Sequence, residues 1–275
     1  QNQYVFQWIN YFAMGFFASL FFYTVCAEVA LILFTKLQMH FSQFSVSSLT
    51  LDKTIYSLIL ALSLVGSVIG SWQASKGAVV VNVTVPISGL PAEWNGFTIA
   101  QVNDLHIGPL IKEEYVKKVI EQTNSLKPSM IALVGDFVDG SVDQLKSITQ
   151  LMKKLSAPYG IFFVTGNHEY YSGAEAWLEE FKSYGFQTLV NEHKILQKGN
   201  SQIAICGVTD YKSSQVLSSH ISDPQLAKQN LPDDMIKILL AHQPSSYKQS
   251  KGYHLQLSGH THGGQFFPWN LVVSL

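Results

Sequence analysis

The run GHTHGGQ, Gly259 to Gln265, sets two imidazoles, His260 and His262, on alternate positions of a glycine-rich stretch. Imidazoles so placed bind metal, move protons or sit on a loop, and the rest of the chain decides among these. Residues of the same chemical kind recur at the ends of short apolar runs. Asp104 and His106 follow FTIAQVN, Asp136 and Asp139 follow MIALVG, and Asn167, His168 and Glu169 follow IFFVTG. His242 follows IKILLA, and His260 and His262 follow HLQLSG. Carboxylate, imidazole and amide oxygen without thiolate suit divalent ions of intermediate hardness, Mn, Fe or Zn. The donors outnumber what one four-coordinate ion takes, whereas two ions sharing a carboxylate use them naturally. Such a pair turns water into a nucleophile near neutral pH and neutralises charge on phosphoryl oxygens, the requirements of in-line displacement at phosphorus. Each piece alone has a plainer reading, a structural histidine or a Gly-Asp turn. The ordered set is what points to chemistry.

For these residues to meet, the elements before them must deliver them to one edge. In sheets with helical crossovers, ligand sites gather at the carboxyl ends of strands. The runs at 96–104, 130–136, 160–168, QIAICGVTD, MIKILLAHQ and YHLQLSGH read as strands, as does AVVVNVTVPI at 78–87. Ile111, Tyr115, Val116, Val119 and Ile120 share one helical face, as do Val142, Leu145, Ile148, Leu151, Met152 and Leu155, and a third helix is expected near 174–184. This alternation with a β-rich second half predicts an α/β fold, helices layered around a central pair of sheets.

The first quarter of the chain is different. Before Trp72 the only charges are Glu28, Lys36, Asp52 and Lys53. Residues 11–34 and 54–72 are each long and apolar enough to cross a bilayer, which takes roughly 20 residues, and together they predict a transmembrane helical hairpin. Neither a basic n-region nor a cleavage site marks a signal peptide. Glu28 is costly at bilayer depth without a partner, so a span shifted toward Ile9, with Glu28 at the boundary, is the preferred placement. Gln1 in place of Met reads as a chain continuing upstream. The expected domains are therefore a membrane anchor over 1–75 and a soluble domain over 76–275. Lys36 and Lys53 between the spans, against Lys76 after them, lean toward a cytoplasmic loop and an outward-facing soluble domain.

Net charge is −1 and all 18 basic residues are lysine. No nucleic-acid partner is expected from that balance, and bidentate guanidinium clamps on phosphate are unavailable. Cys26 and Cys206 suggest neither a disulfide framework nor a thiolate site.

The blocks D-x-H, G-D-x-x-D, G-N-H-E, H and G-H-x-H, in that order from Asp104 to His262, resemble the calcineurin-like metallophosphoesterase superfamily. NDLHIG, GNHEYYSG, LAHQP and GHTHGGQ behind an apolar N-terminus are similar to its membrane-associated YaeI/YkuE-type subgroup, which includes the transmembrane protein with metallophosphoesterase domain. The resemblance implies a four-layer sandwich with two central mixed sheets flanked by helices. It implies two divalent ions, one held by Asp104, His106 and His262 and the other by Asn167, His242 and His260, with Asp136 bridging. His168 would contact the phosphoryl group or protonate the leaving oxygen, with Asp139 orienting its ring. Relatives continue beyond the point where this chain stops, thirteen residues after His262, so the domain is expected to be incomplete at its C-terminus.

The reading is a membrane-anchored, metal-dependent phosphoesterase, a hydrolase of a phosphomonoester, phosphodiester or pyrophosphate with manganese among its expected metals. Its substrate is a phosphorylated small molecule or a lipid-linked one. The specific candidate, from the resemblance, is the pyrophosphate of UDP-2,3-diacylglucosamine in lipid A synthesis, at the bacterial inner membrane; that substrate faces the cytoplasm, against the lean of the lysines. The rivals are a non-catalytic membrane protein with a structural metal site, which would not require His168, and a metal-dependent nuclease, which the charge disfavours. Glu169 reads equally as a support behind the ligands or a solvated carboxylate, and Tyr170 and Tyr171 as lining the substrate mouth or as one packed and one exposed ring. Lys112 reads as a solvated helix residue, and His40, His193, His220 and His254 carry no assigned chemistry.

Overall fold

The computed structural model describes residues 2–40, 48–265 and 267–273, and the side chain of His40 lies outside what is described. Two compact units are present, Gln1–Ala78 with Gly263–Leu275, and Val79–His262.

The first unit is helical. Uninterrupted apolar sequence without proline forms α1 (Asn2–His40) and α2 (Ser48–Ser75), and within them Val5–Leu37 and Lys53–Ser75 are long and apolar enough to span a membrane. Large apolar side chains, among them Phe17, Phe21, Leu58, Leu62 and Val68, point outward. The first span of 33 residues rises roughly 50 Å, against a hydrocarbon layer of about 30 Å. That surplus leaves room for Glu28 outside the layer, and the fold also gives it a partner, the hydroxyl of Tyr56, which donates to Glu28 Oε1. Phe267 packs on Phe22 and Tyr23 at centroid distances of 5.0 and 5.5 Å.

The second unit is a four-layer sandwich. β1 (Ile99–Val102), α3 (Glu113–Ser125), β2 (Met130–Val134), α4 (Val142–Thr149), β3 (Ile161–Val164), α5 (Asn167–Ser172), α6 (Ala174–Ser183) and β4 (Gln187–Thr188) alternate. The strands form one sheet in the order β1-β2-β3-β4, parallel throughout, with Ala132 opposite Gln101 and Phe162. β5 (Glu192–Lys198), β6 (Ser201–Gly207), α7 (Pro224–Ala227), β7 (Ile236–Leu240) and β8 (Leu255–Leu257) build the other sheet in the order β5-β6-β7-β8. Only this second sheet is mixed. A two-residue turn at Gly199 and Asn200 makes β5 and β6 antiparallel, whereas successive strands of the first sheet, β1 to β4, are joined by helical crossovers, which return the chain parallel. A short terminal helix, α8 (Trp269–Val273), belongs to the first unit.

Alternate residues divide the core as the pleat requires. Met130, Ala132, Val134, Phe162 and Val164 face Leu196, Ile203, Ile205, Ile238 and Leu240 between the sheets. Ile131, Leu133 and Phe163 point the other way onto α3, α4 and α6 through Val116, Ile120, Leu145, Trp177 and Phe181. Ala204, Cys206, Leu239 and Ala241 cover the outer face of the second sheet with Ala227 of α7.

One expected strand is absent. Residues 78–87 pair with no strand among the described residues, and Val79, Val81 and Val83 are 84%, 78% and 76% exposed. β-branched residues favour extended backbone, but a strand requires a ladder partner and a face to bury.

Candidate metal centre

Five strands, β1, β2, β3, β7 and β8, end where the candidate ligands begin, and all those ligands fall within the second unit. Three groups of donor atoms lie within 4.8 Å of one another: Asp104, His106 and His262; Asp136, His242 and His260; and His106, Asp139 and His168. The first two coincide with the expected ligand sets apart from Asn167. Asp136, 2% exposed, stands between them, with Oδ2 3.0 Å from His242 Nε2 and 3.9 Å from His106 Nε2.

The hydrogen bonds fix which ring atoms are free. His242 Nδ1 donates to the Val134 carbonyl at 2.8 Å, so Nε2 is the ring atom turned to the centre; it stands 3.0 Å from Asp136 Oδ2 without hydrogen-bond alignment. His106 Nδ1 bonds Asp139 Oδ1 at 3.0 Å, leaving its Nε2 3.1 Å from His262 Nε2. Asn167 Oδ1 is buried without a partner. A buried acceptor that faces no donor, as Asn167 Oδ1 does, carries a cost unless a cation lies near it. Nitrogen and oxygen ligands about 2.0–2.2 Å from a tetrahedral ion stand roughly 3.3 Å apart, close to the spacings in the first two groups. The third group differs. Asp139 Oδ1 lies 3.0 and 2.6 Å from His106 Nδ1 and His168 Nδ1, which are hydrogen bonds rather than the edges of a coordination shell.

Electrostatics agree. Burial opposes ionisation of Asp136, but His242 and the His168 amide outweigh it and hold the carboxyl below its usual range. Burial likewise works against a charged His242, yet the Asp136 carboxylate lifts the imidazole to about 9. The proton of His242 is thus held strongly by the carboxylate it faces. Burial lowers His260 and His262, with His242 and His106 respectively adding to it, which favours the neutral imidazoles that ligate metals.

The backbone is bent to serve this arrangement. Asp104, His106, Asp136, His260 and His262 all have left-handed φ, 54°, 48°, 56°, 72° and 48°. Such residues cost on the order of 1–3 kcal/mol each and collect at functional sites. Cross-links hold them: Asp104 accepts the His260 amide on both carboxylate oxygens at 3.0 Å, and the His106 amide donates to the Asp136 carbonyl at 3.0 Å. Two glycines admit the carboxylates. A Cβ on Gly166 would stand 2.2 Å from Asp136 Oδ1, and one on Gly259 2.4 Å from Asp104 Oδ2.

Glu169, ambiguous in the sequence, is fully buried and accepts the amides of Asp136 at 2.9 Å, Gly166 at 2.6 Å and Phe137 at 2.7 Å. Burial pushes its carboxyl up to about 7, with the Asp136 charge adding to that and the three N–H groups pulling back. His220 also has a partner that sequence did not signal, the Tyr170 hydroxyl at 2.8 Å. Asp210, 1% exposed, receives Gln243 Nε2 on both oxygens, at 3.1 and 2.9 Å, behind His242. An isolated Asp after the run QIAICGVT is the one signal for it. His193 and His254 bond backbone groups, and Lys112 is exposed at the start of α3. Tyr170 is packed and Tyr171 exposed.

Residues 97–264 match the calcineurin-like phosphoesterase family. A transmembrane protein with metallophosphoesterase domain from Danio rerio is 32% identical over 240 residues, 84% of this chain and 54% of that protein. An uncharacterized metallophosphoesterase from Helicobacter pylori is 38% identical over 182 residues, 64% of this chain and 47% of its own. The uncharacterized metallophosphoesterase YkuE of Bacillus subtilis is 31% identical over 188 residues, 66% of this chain and 64% of its own. The chain spans about half the length of the first of these relatives. Among solved structures, the calcineurin-like phosphoesterase YfkN from Bacillus subtilis aligns over 62% of this chain and 73% of its own, with 17% identity and a TM-score of 0.43. With a family match across most of the sandwich, and donor groups for divalent metal at its strand ends, the chain belongs to the calcineurin-like phosphoesterases.

Proposed function

We propose that this chain is a membrane-anchored hydrolase of phosphoesters or pyrophosphates that works with two divalent ions, Mn, Fe or Zn. Asp104, His106 and His262 would hold one ion and Asn167, His242 and His260 the other, with Asp136 shared between them. The observation that carries this reading is the convergence of Asp104, His106 and His262, and of Asp136, His242 and His260, the donor atoms of each group lying within 4.8 Å of one another, together with a buried Asn167 Oδ1 that has no partner. When bound, the ions supply a nucleophile from water at neutral pH and neutralise charge on the phosphoryl oxygens.

The chain's own part is orientation and proton transfer. Asp139 fixes the His168 ring through Nδ1, leaving Nε2 toward the substrate on a side chain 36% exposed. The Asp139 hydrogen bond comes first among the causes that hold this imidazole above its usual range, favouring the protonated form that a general acid needs. As the bond from phosphorus to the leaving oxygen breaks, His168 Nε2 gives its proton to that oxygen.

Anchoring over residues 1–75 is supported by two helices whose large apolar side chains face outward, an arrangement suited to lipid rather than water, and by relatives named as transmembrane proteins. An anchor of this kind suits a substrate with acyl chains, and the specific candidate is the pyrophosphate of UDP-2,3-diacylglucosamine at a bacterial inner membrane. Incubating detergent-purified protein and Mn²⁺ with that lipid tests the assignment. Release of UMP supports it; no UMP, with brisk hydrolysis of a generic phosphodiester, refutes the lipid while leaving the phosphoesterase.

A further inference from the structure

Tyr170 and Tyr171 are adjacent in α5 but have opposite surroundings. Tyr170 is 6% exposed and its hydroxyl is bonded to His220, whereas Tyr171 is 69% exposed. The Tyr171 ring nevertheless lies against the centre, its centroid 5.5 Å from that of His168 with the planes at 64°.

The backbone beneath Tyr171 is held on both sides. On one side is the anchored Tyr170. On the other, Ser172 Oγ accepts the Gly140 amide at 3.1 Å and donates to the Val138 carbonyl at 3.2 Å, tying the end of α5 to the segment that carries Asp139. Gly173, at φ 95°, then ends the helix. A tyrosine on fixed backbone offers a large flat face at little conformational cost, since only two side-chain torsions remain to be ordered. The chain has no arginine to grip the rest of a substrate by its planar guanidinium. The exposed flat surface beside His168 is this ring.

We infer that Tyr171 determines specificity in this centre, its exposed ring being the face on which a planar aromatic group of the substrate stacks next to the phosphorus attacked. The inference rests on the phosphoesterase reading above and names the class of group the site selects. It places the aromatic group on the side where His168 protonates the leaving oxygen.

Competitive inhibition of the metal-loaded protein by methyl-, cyclohexyl- and phenylphosphonate tests it without a leaving group to confuse the comparison. Phenylphosphonate is expected to bind roughly fivefold or more tighter than the other two, the scale of one aromatic stacking contact. Tyr171→Ala should bring the three inhibition constants within about twofold of one another, and Tyr171→Phe should keep the preference; metal content checks that the centre is intact. Equal constants in the unaltered protein, or a phenyl preference that survives Tyr171→Ala, overturn the inference. Cyclohexyl binding as tight as phenyl, with both lost in Tyr171→Ala, also overturns it, in favour of an apolar contact such as an acyl chain. If no phosphoester is turned over at all, it is the phosphoesterase reading that has failed, and the inference with it.

Discussion

His106 and His168 aim their Nδ1 atoms at one oxygen of Asp139, from 3.0 and 2.6 Å. The carboxylate thereby orients both rings: each donates Nδ1–H to Asp139 and turns its Nε2 to the centre, His106 as a ligand and His168 carrying the proton it gives up. Burial works against the charge of Asp139, yet the two imidazoles hold its carboxyl well below the usual range.

Asp139→Asn leaves the shape but removes the negative charge shared by both rings. Metal affinity and kcat should fall together, by roughly 10–100-fold each, as for other carboxylates that orient ligating histidines. His168→Ala should lower kcat while metal content is retained. Metal titration and turnover of a p-nitrophenyl ester on both variants check this, and an Asp139→Asn protein with unchanged metal affinity would contradict the shared role.

Gly166 and Gly259 face different carboxylates, and alanine at either should disturb a different donor group. The added carbon of Gly166→Ala meets Asp136 Oδ1 and that of Gly259→Ala meets Asp104 Oδ2, each far inside contact distance. Metal binding should weaken by roughly tenfold or more in each, with the loss in Gly259→Ala confined to the ion held by Asp104. Element analysis after dialysis reads this out. Full occupancy in both variants would show that the carboxylates have room to move.

Glu169→Gln replaces an acceptor of three backbone amides with a group that has one oxygen. At least one buried N–H loses its partner, which costs about 1–3 kcal/mol. Denaturant unfolding should show that loss, and the exposed Glu179→Gln should show none. Equal stability of the two variants would mean that the amides find other partners.

Cys206 is fully buried, and burial pushes its thiol up to about 11, whereas Cys26 is exposed on α1. In a Cys26→Ser background at pH 8, iodoacetamide should leave the folded protein unmodified and label it in urea. The thiolate fraction in the folded chain grows only as pH approaches 11, so labelling should remain slow through pH 9. Rapid labelling at pH 8 would mean that the second sheet opens readily.

Much of the architecture is legible in sequence because buried parallel strands read as short apolar runs, and the residues just after each run must emerge at the same edge. That is why Asp104, Asp136, Asn167, His242 and His260 group together on sequence grounds alone. The left-handed backbone at Asp104, His106, Asp136, His260 and His262 is not legible, since Asp and His carry no mark of φ and tertiary hydrogen bonds hold them there. Glu169 stays undecided in sequence because its acidity argues for solvent, and only the fold shows three amides converging on it. β5, with its exposed polar face, escapes notice beside the apolar β6. Conversely, 78–87 has the composition of a strand without a neighbour to pair with, so local propensity misleads there.

The most direct test of the central claim is hydrolysis of bis-p-nitrophenyl phosphate and p-nitrophenyl phosphate by detergent-purified protein, stripped of metal and refilled with Mn²⁺ or Zn²⁺, with Asp136→Asn alongside. The account predicts no turnover when stripped, turnover restored with two ions per chain, and a loss of at least about 100-fold in Asp136→Asn, whose bridging charge is gone. Turnover that persists without metal, or an Asp136→Asn protein as active as the original, would contradict it.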